Sequence, residues 1–324
     1  MQIRVLALAL TVALAPASLV AQETEAATQA KPPSLTTYGW KAPSSAIVTE
    51  DITKKGESSK MRYRLAMTPR EGGGIRIAYE DFRFVQFHDM DMESPKVQKV
   101  LETITAMTAA IPDLHVHADG RFDEASGVDE CIDTVVEFMA KMRGMGPAEK
   151  KRLRAVMRTP AATAMMKEGV AQYWRTWVGA WHGWTLAAGE KHTEKTQLQL
   201  LGKGREATVH TEHLPAPADH PGCVALKMVI ESEPAHFGMD AAFFIAELVP
   251  KVQAAGGVAA GENRLKLSYR ETLTVITDPK TMRTKVATSD RTITLHDSAT
   301  EETHEQVEKH RYEFDWKGAE SSDK

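Results

Sequence analysis

The 324-residue chain is 42% hydrophobic and 26% charged, an ordinary globular balance that excludes collagen-like, coiled-coil and wholly disordered chains. With 40 Lys and Arg against 44 Asp and Glu, the net charge of −4 supplies no broad cationic field, and this argues against bulk nucleic-acid binding.

Arg4 precedes an apolar run from Val5 to Leu14, followed by Ala15, Pro16, Ala17, Ser18 and Ala21. This is the pattern of a secretory signal peptide over 1–21, cut after Ala21, with Ala17 as the alternative. The run is about half as long as the roughly 20 residues a spanning helix requires, and no later stretch is long and uncharged enough. A soluble mature protein without a transmembrane segment, periplasmic or secreted, is therefore expected. Gln22 follows Ala21 where a lipid anchor would need Cys, and Asn263, the one Asn, is followed by Arg264 and Leu265, so no N-glycosylation acceptor exists. Residues 22–37 lack an apolar period and read as a flexible leader, with order starting near Tyr38 or Trp40.

From Ser45 to Phe87 the apolar residues alternate: Met61, Tyr63, Leu65 and Met67, then a Gly72-Gly73-Gly74 turn into Ile75, Ile77 and Tyr79. The parity slips at Asp81, which predicts a bulge. Ser94-Pro95 opens a helix that Pro112 stops, with Ser as cap and Pro in the first turn. A hairpin around Asp119-Gly120 leads to a helix over Val128–Arg143. Gly144 to Pro147 break it, a basic helix carries Lys150, Lys151, Arg152, Arg154 and Arg158, and Thr159-Pro160 starts another.

After Gly189 the period returns to two. Gln197–Leu201, Ala207–His213 and Val224–Glu231 read as strands, Asp240–Ala254 as a helix, and Leu265, Leu267, Tyr269, Glu271, Leu273 and Val275 alternate toward a turn at Asp278-Pro279-Lys280-Thr281. Met282–Thr288, Thr292–Leu295 and Val307–Trp316 complete a meander, and 317–324 form a disordered tail. Strands, helices and strands are segregated along the chain, so the expected class is α+β. A curved antiparallel sheet, half-barrel-like, would hold the helical segment between its N- and C-terminal strand runs. One domain over 38–316 is predicted: 38–93 strands, 94–188 mainly helices, 189–316 mainly strands with one helix.

Trp174, Trp177, Trp181 and Trp184 fall within one narrow wedge of a continuous helix. The stripe reads either as core packed on the sheet or as the lining of a cleft for an apolar or sugar ligand, with Trp181 and Trp184 the expected exposed pair because Gly179 and Gly183 loosen the helix there. His115 and His117 share one face of a predicted strand, as a metal site could use, although no spaced Cys/His cluster or His-Glu-x-x-His helix accompanies them. Cys131 and Cys223, the only thiols, could close a disulfide in an oxidising compartment, which for a loop this long would contribute ~4–5 kcal/mol; two separate buried thiols are the alternative. Asp89, Asp91 and Glu93 start like a calcium loop but lack its Gly and closing Glu. Gly202-Lys203-Gly204-Arg205-Glu206-Ala207 matches a dinucleotide fingerprint, yet a strand follows where a helix is needed.

The strand ending Asp81-Phe82-Arg83-Phe84, the Asp119-Gly120 hairpin feeding a helix, the Trp stretch reaching Gly189-Glu190 and the Asp278-Pro279-Lys280-Thr281 hairpin together resemble exported bacterial β-rich proteins of unknown function. In architecture the chain is also similar to the half-barrel periplasmic carriers of lipids and lipidated proteins. The resemblance implies a curved sheet lidded by helices and carries over no catalytic residue or cofactor. Non-enzymatic binding of an apolar small molecule, a lipid or an envelope protein partner is the expected function. A metal-dependent hydrolase using His115 and His117, or a structural envelope protein with a filled core, is the alternative.

Overall fold

Alternating apolar residues from Ser44 to Phe87 form three consecutive antiparallel strands, β2 (Ser44–Lys54), β3 (Glu57–Pro69) and β4 (Ile75–Phe87). The computed structural model describes residues 18–20, 34–108, 110–200, 203–215, 217–236, 265–298 and 301–316. Helix α1 (Pro95–Thr108) leads into the hairpin β5 (Asp113–Val116) and β6 (Phe122–Ser126). Three helices follow: α2 (Val128–Arg143), α3 (Pro147–Met157) and α4 (Pro160–Trp177). Two of these starts show their chemistry: acidic Asp129 and Glu130 fill the first turn of α2, and the Thr159 side chain accepts the Ala162 N–H at the head of α4. The chain then runs through β7 (Lys191–Leu200), β8 (Lys203–Leu214), β9 (Val224–His236), β10 (Leu265–Thr277), β11 (Thr284–Asp297) and β12 (Glu302–Asp315).

Strands β2 to β12 make one open antiparallel sheet in the order β7-β8-β9-β10-β11-β12-β2-β3-β4-β5-β6. A three-residue strand, β1 (Ser18–Val20), adds at the β7 edge; it falls inside the segment read as a signal peptide. Two meanders, one from each end of the chain, are thus joined side to side by the β12–β2 pairing. α4 touches β10, β11, β5 and β6, and its Trp177 ring lies 6.3 Å from Tyr79 on β4 and 5.4 Å from Phe314 on β12. Strands β10 and β4 are five neighbours apart, about 24 Å on a flat sheet at the usual spacing, whereas a helix with its side chains is about 10–12 Å across. The sheet must curve around α4 for the helix to meet both.

The core fills that concave side: Val48, Tyr63, Leu65, Ile77, Leu226, Ile230, Leu273 and Val275 pack with Trp40, Trp174, Trp177 and Trp316. A smaller cluster of Phe87, Leu101, Ile104, Phe138 and Met139 fixes α1 and α2 beside the end of β4. The expected slip at Asp81 is present: Asp81 takes φ 55° and the β3–β4 register shifts there. Residues 34–37, read as the end of a flexible leader, are tied down, with Leu35 N donating to Trp184 O (2.6 Å) and Thr37 N to Pro279 O (2.8 Å). The two strands expected over 282–295 are one, β11, and the helix expected over Asp240–Ala254 lies outside the described residues. Among the described residues no helix is long and apolar enough to cross a membrane.

The disulfide expectation is corrected. Cys131 and Cys223 are both free. Cys131 faces the core from α2, while Cys223 sits in the turn before β9, close to the charges of Lys285 and Asp278 at the β10–β11 hairpin. Burial pushes the Cys131 thiol up to about 11, so it stays a protonated, inert packing group.

Candidate functional site

Strict alternation sends Ala46, Val48, Glu50 and Ile52 of β2 to the concave side, together with Glu308, His310, Tyr312 and Phe314 of β12. Charged groups therefore stand where apolar ones would be expected. In the register of the sheet Lys54 opposes Glu308, Glu308 opposes Arg291, and Arg291 opposes Glu271. Directly opposed residues of an antiparallel pair share a face, so four adjacent strands carry one transverse row of alternating sign, Lys54, Glu308, Arg291 and Glu271. One step along the strands His310 and Ser289 are opposed, and a further step on come Glu50 and Tyr312.

The contacts knit these rows together. The Arg291 Nη2 donates to Glu308 Oε2 at 2.5 Å, and Lys54 Nζ lies 3.6 Å from Glu308 Oε1. His310 is held between two carboxylates, its Nδ1 2.8 Å from Glu50 Oε1 and its Nε2 3.2 Å from Glu308 Oε1. Tyr63 donates its hydroxyl to Glu50 Oε2 at 3.3 Å. Glu271 accepts from Gln172 Nε2 (2.8 Å) and Arg175 Nη2 (2.6 Å) on α4, and from Ser289 Oγ (3.0 Å). Tyr173, between those two helix residues, stacks edge-on against Tyr312 at 6.2 Å and lies 5.6 Å from Trp177.

Electrostatics follow from burial and pairing. Desolvation alone would lower the His310 pKa, but its bonds to Glu308 and Glu50 prevail and raise it to about 9, so the ring is an imidazolium at neutral pH with both N–H groups engaged. Burial opposes charge on Glu308 too, yet His310 and Arg291 hold its carboxyl well below the usual range. Desolvation pulls the Lys54 ammonium down, against the attraction of Glu308. Tyr63, Tyr79, Tyr173 and Tyr312 are pushed up, first by burial and then by neighbouring charges that include Glu50. A histidine that donates from both nitrogens offers no lone pair for general-base work. The arrangement holds fixed, paired charge in a buried setting.

The indole stripe is core. Trp174, Trp177, Trp181 and Trp184 are all buried, including the pair expected to be exposed. α4 ends at Trp177, Trp181 lies on a 3-10 turn over Gly179–Trp181, and Trp184 comes after it, so the helical wheel does not describe the last two. Trp174 donates Nε1 to Gly120 O (3.0 Å) and Trp181 to Thr176 O (2.9 Å), while Trp177 Nε1 and Trp184 Nε1 are buried without a partner.

His115 and His117 project from β5 and from just beyond it. His115 Nε2 is 2.7 Å from Ser126 Oγ, and His117 Nε2 is 3.4 Å from Asp123 Oδ1. Each imidazole is thus matched to its own partner on the β6 side. Among the described residues no three His, Cys, Asp or Glu side chains are grouped to hold a metal ion. Asp91 instead accepts the Glu93 N–H in the turn before α1, and the would-be dinucleotide fingerprint lies, from Lys203 on, inside the strand Lys203–Leu214.

Glu50, Glu271, Glu308, His310, Arg291 and Lys54 were not singled out by sequence reasoning. Except at Arg291, their signal was nevertheless present, as charged residues in the apolar phase of long strands. No family model matches the chain, and no curated protein matches it.

Proposed function

We propose that the chain is an exported, non-enzymatic binding protein of the cell envelope that receives an apolar or amphiphilic small molecule on the concave side of its sheet, beside α4. The observation that carries this reading is the buried row of Lys54, Glu308, Arg291 and Glu271 flanked by Tyr173 and Tyr312. Buried ion pairs are costly to maintain and contribute little net stability compared with apolar packing, so a row of them on an otherwise apolar face is better accounted for by recognition than by folding. Aromatic walls with a few placed polar groups are the usual make-up of small-molecule sites. Export is supported by the pattern of residues 1–21.

A second reading, a structural envelope protein with a filled core, is favoured by one observation: all four residues of the indole stripe are buried. Native mass spectrometry of protein purified without detergent from the compartment to which it is exported separates the two. Binding predicts a retained small molecule that is lost on denaturation. A bare polypeptide mass, with no uptake of added alkyl amphiphile, supports the filled core.

A further inference from the structure

The charged row has a back and a front. Its carboxylates form the back: Glu271, Glu50 and Glu308 leave 0%, 1% and 2% of their side chains exposed. Its cations form the front, with 11% to 14% of Arg291, His310, Lys54 and Arg175 reaching solvent. What solvent reaches of the cluster is therefore mostly its N–H groups, which the more deeply buried carboxylates hold in place.

Arg291 shows most clearly what the front could take. A guanidinium has five N–H donors, and this one gives a single hydrogen bond, from Nη2 to Glu308 Oε2. Opposition to Glu308 on one side and Glu271 on the other fixes its position in the sheet. Arg175 reaches the same Glu271 from α4, and Lys54 reaches the same Glu308 from β2. Three cations thus converge on two fully buried carboxylates, and the central one retains a planar set of donors matched to carboxylate or phosphate oxygens. The partly buried Tyr173 ring, packed edge-on against Tyr312, supplies an apolar surface for whatever is joined to that anion.

We infer that the ligand is an anionic amphiphile whose carboxylate or phosphate is bound by Arg291 between Lys54 and Arg175, with its hydrocarbon part against Tyr173. This rests on the binding function proposed above and names the chemistry of its ligand. The protonated state of His310 adds to the field at the front without donating to the ligand, since both ring nitrogens are already engaged.

The test is calorimetric titration of the full chain, below micellar concentrations, with dodecanoate, dodecyl phosphate, dodecanol, dodecyltrimethylammonium and inorganic phosphate. At least one of the two anionic amphiphiles is expected to bind tenfold or more tighter than dodecanol, and the tighter of the two identifies carboxylate or phosphate as the head group. Arg291→Met combined with Glu308→Gln removes the central pair without leaving a bare buried carboxylate, and should abolish that preference. Lys54→Met, at the end of the row, should reduce it several-fold, and Arg270→Met, which removes the exposed partner of Glu231, should leave it unchanged. Dodecanol or the alkylammonium binding as tightly as the anions overturns the anion assignment and leaves the binding function standing. Binding of inorganic phosphate alone, with no gain from an alkyl chain, overturns the amphiphile and assigns a free anion. Binding of none of the probes overturns both this inference and the binding function on which it rests.

Discussion

His310 makes the charged cluster sensitive to pH, in a direction that follows from its contacts. It is faced by Glu50 from β2, Glu308 and Tyr312 from β12 and Ser289 from β11, and behind the two carboxylates stand Tyr63 on Glu50 and Arg291 and Lys54 on Glu308. Glu50 and Glu308 hold its pKa at about 9 against the desolvation that would lower it, and an unfolded chain would return it to about 6.5. A group whose folded pKa is raised contributes stability that is complete below the unfolded value and is lost as pH climbs through the folded value. Urea midpoints should accordingly fall between pH 6.5 and 9.5, reporting a loss of unfolding free energy on the order of 3 kcal/mol. Glu308 acts with the opposite sign: its depressed pKa contributes above about 4.5, and that contribution is lost as pH falls below it. His310→Gln should be less stable at pH 6 and should lose the alkaline decline. If the variant declines as steeply as the native chain, the imidazolium is not the group responsible.

At the scale of elements, helix starts and hairpins were legible because caps, prolines and glycines act locally. The Val128–Arg143 helix and the start of α4 at Thr159-Pro160 agree with the sequence reading. The site was harder to read because its residues are assembled by register across strands distant in sequence. Glu271 lies within the alternating run that marks β10, and its inward phase is visible from sequence. Its partners Gln172 and Arg175 lie on a helix 99 and 96 positions away, and nothing local points to them. Arg291 was hidden for a different reason: Ser289, Asp290 and Arg291 interrupt the apolar alternation, so β11 reads as two short strands when it is one. The extended backbone continues through them because β10 and β12 pair with it on both sides. Gly74, in the turn into β4, shows the reverse case of a local signal with a long-range consequence. It adopts φ +85°, and a Cβ there would fall 2.2 Å from Val116 O at the β5 strand end. Gly74→Ala should therefore cost roughly 2–4 kcal/mol, combining left-handed strain with displaced backbone, and should lower the urea midpoint. Gly72→Ala, with a similar φ but nothing near its Cβ, should cost only the roughly 1 kcal/mol of strain. Equal losses at the two positions would show that contact with β5 is unimportant.

On the scale of the whole molecule, the order of the sheet determines how the chain can come apart. The N-terminal meander of β2 to β6 and the C-terminal one of β7 to β12 meet along the pairing from Glu308–Lys54 to Asp315–Ile47. A sheet alone could split at that seam. α4 prevents it, because Trp177 packs on Tyr79 of one meander and on Tyr312 and Phe314 of the other, while the Trp174 ring lies 5.0 Å from Trp40, which itself lies 4.8 Å from Trp316. The charged cluster crosses the same seam, through Lys54 to Glu308 and His310 to Glu50. Neither meander can bury its concave face without the other, so the two should unfold together. Urea unfolding followed by tryptophan fluorescence, which reports the seam and α4, should coincide with the far-ultraviolet circular dichroism of the strands. Such a sheet is dominated by pairings distant in sequence, most of all β12 with β2, so refolding should be slow for the chain's size, on a scale of milliseconds to seconds or longer. Trp177→Ala should lower stability by about 3–5 kcal/mol while keeping the two probes coincident. Two separated transitions in the native chain would mean that the meanders fold as independent units and that α4 belongs to only one of them.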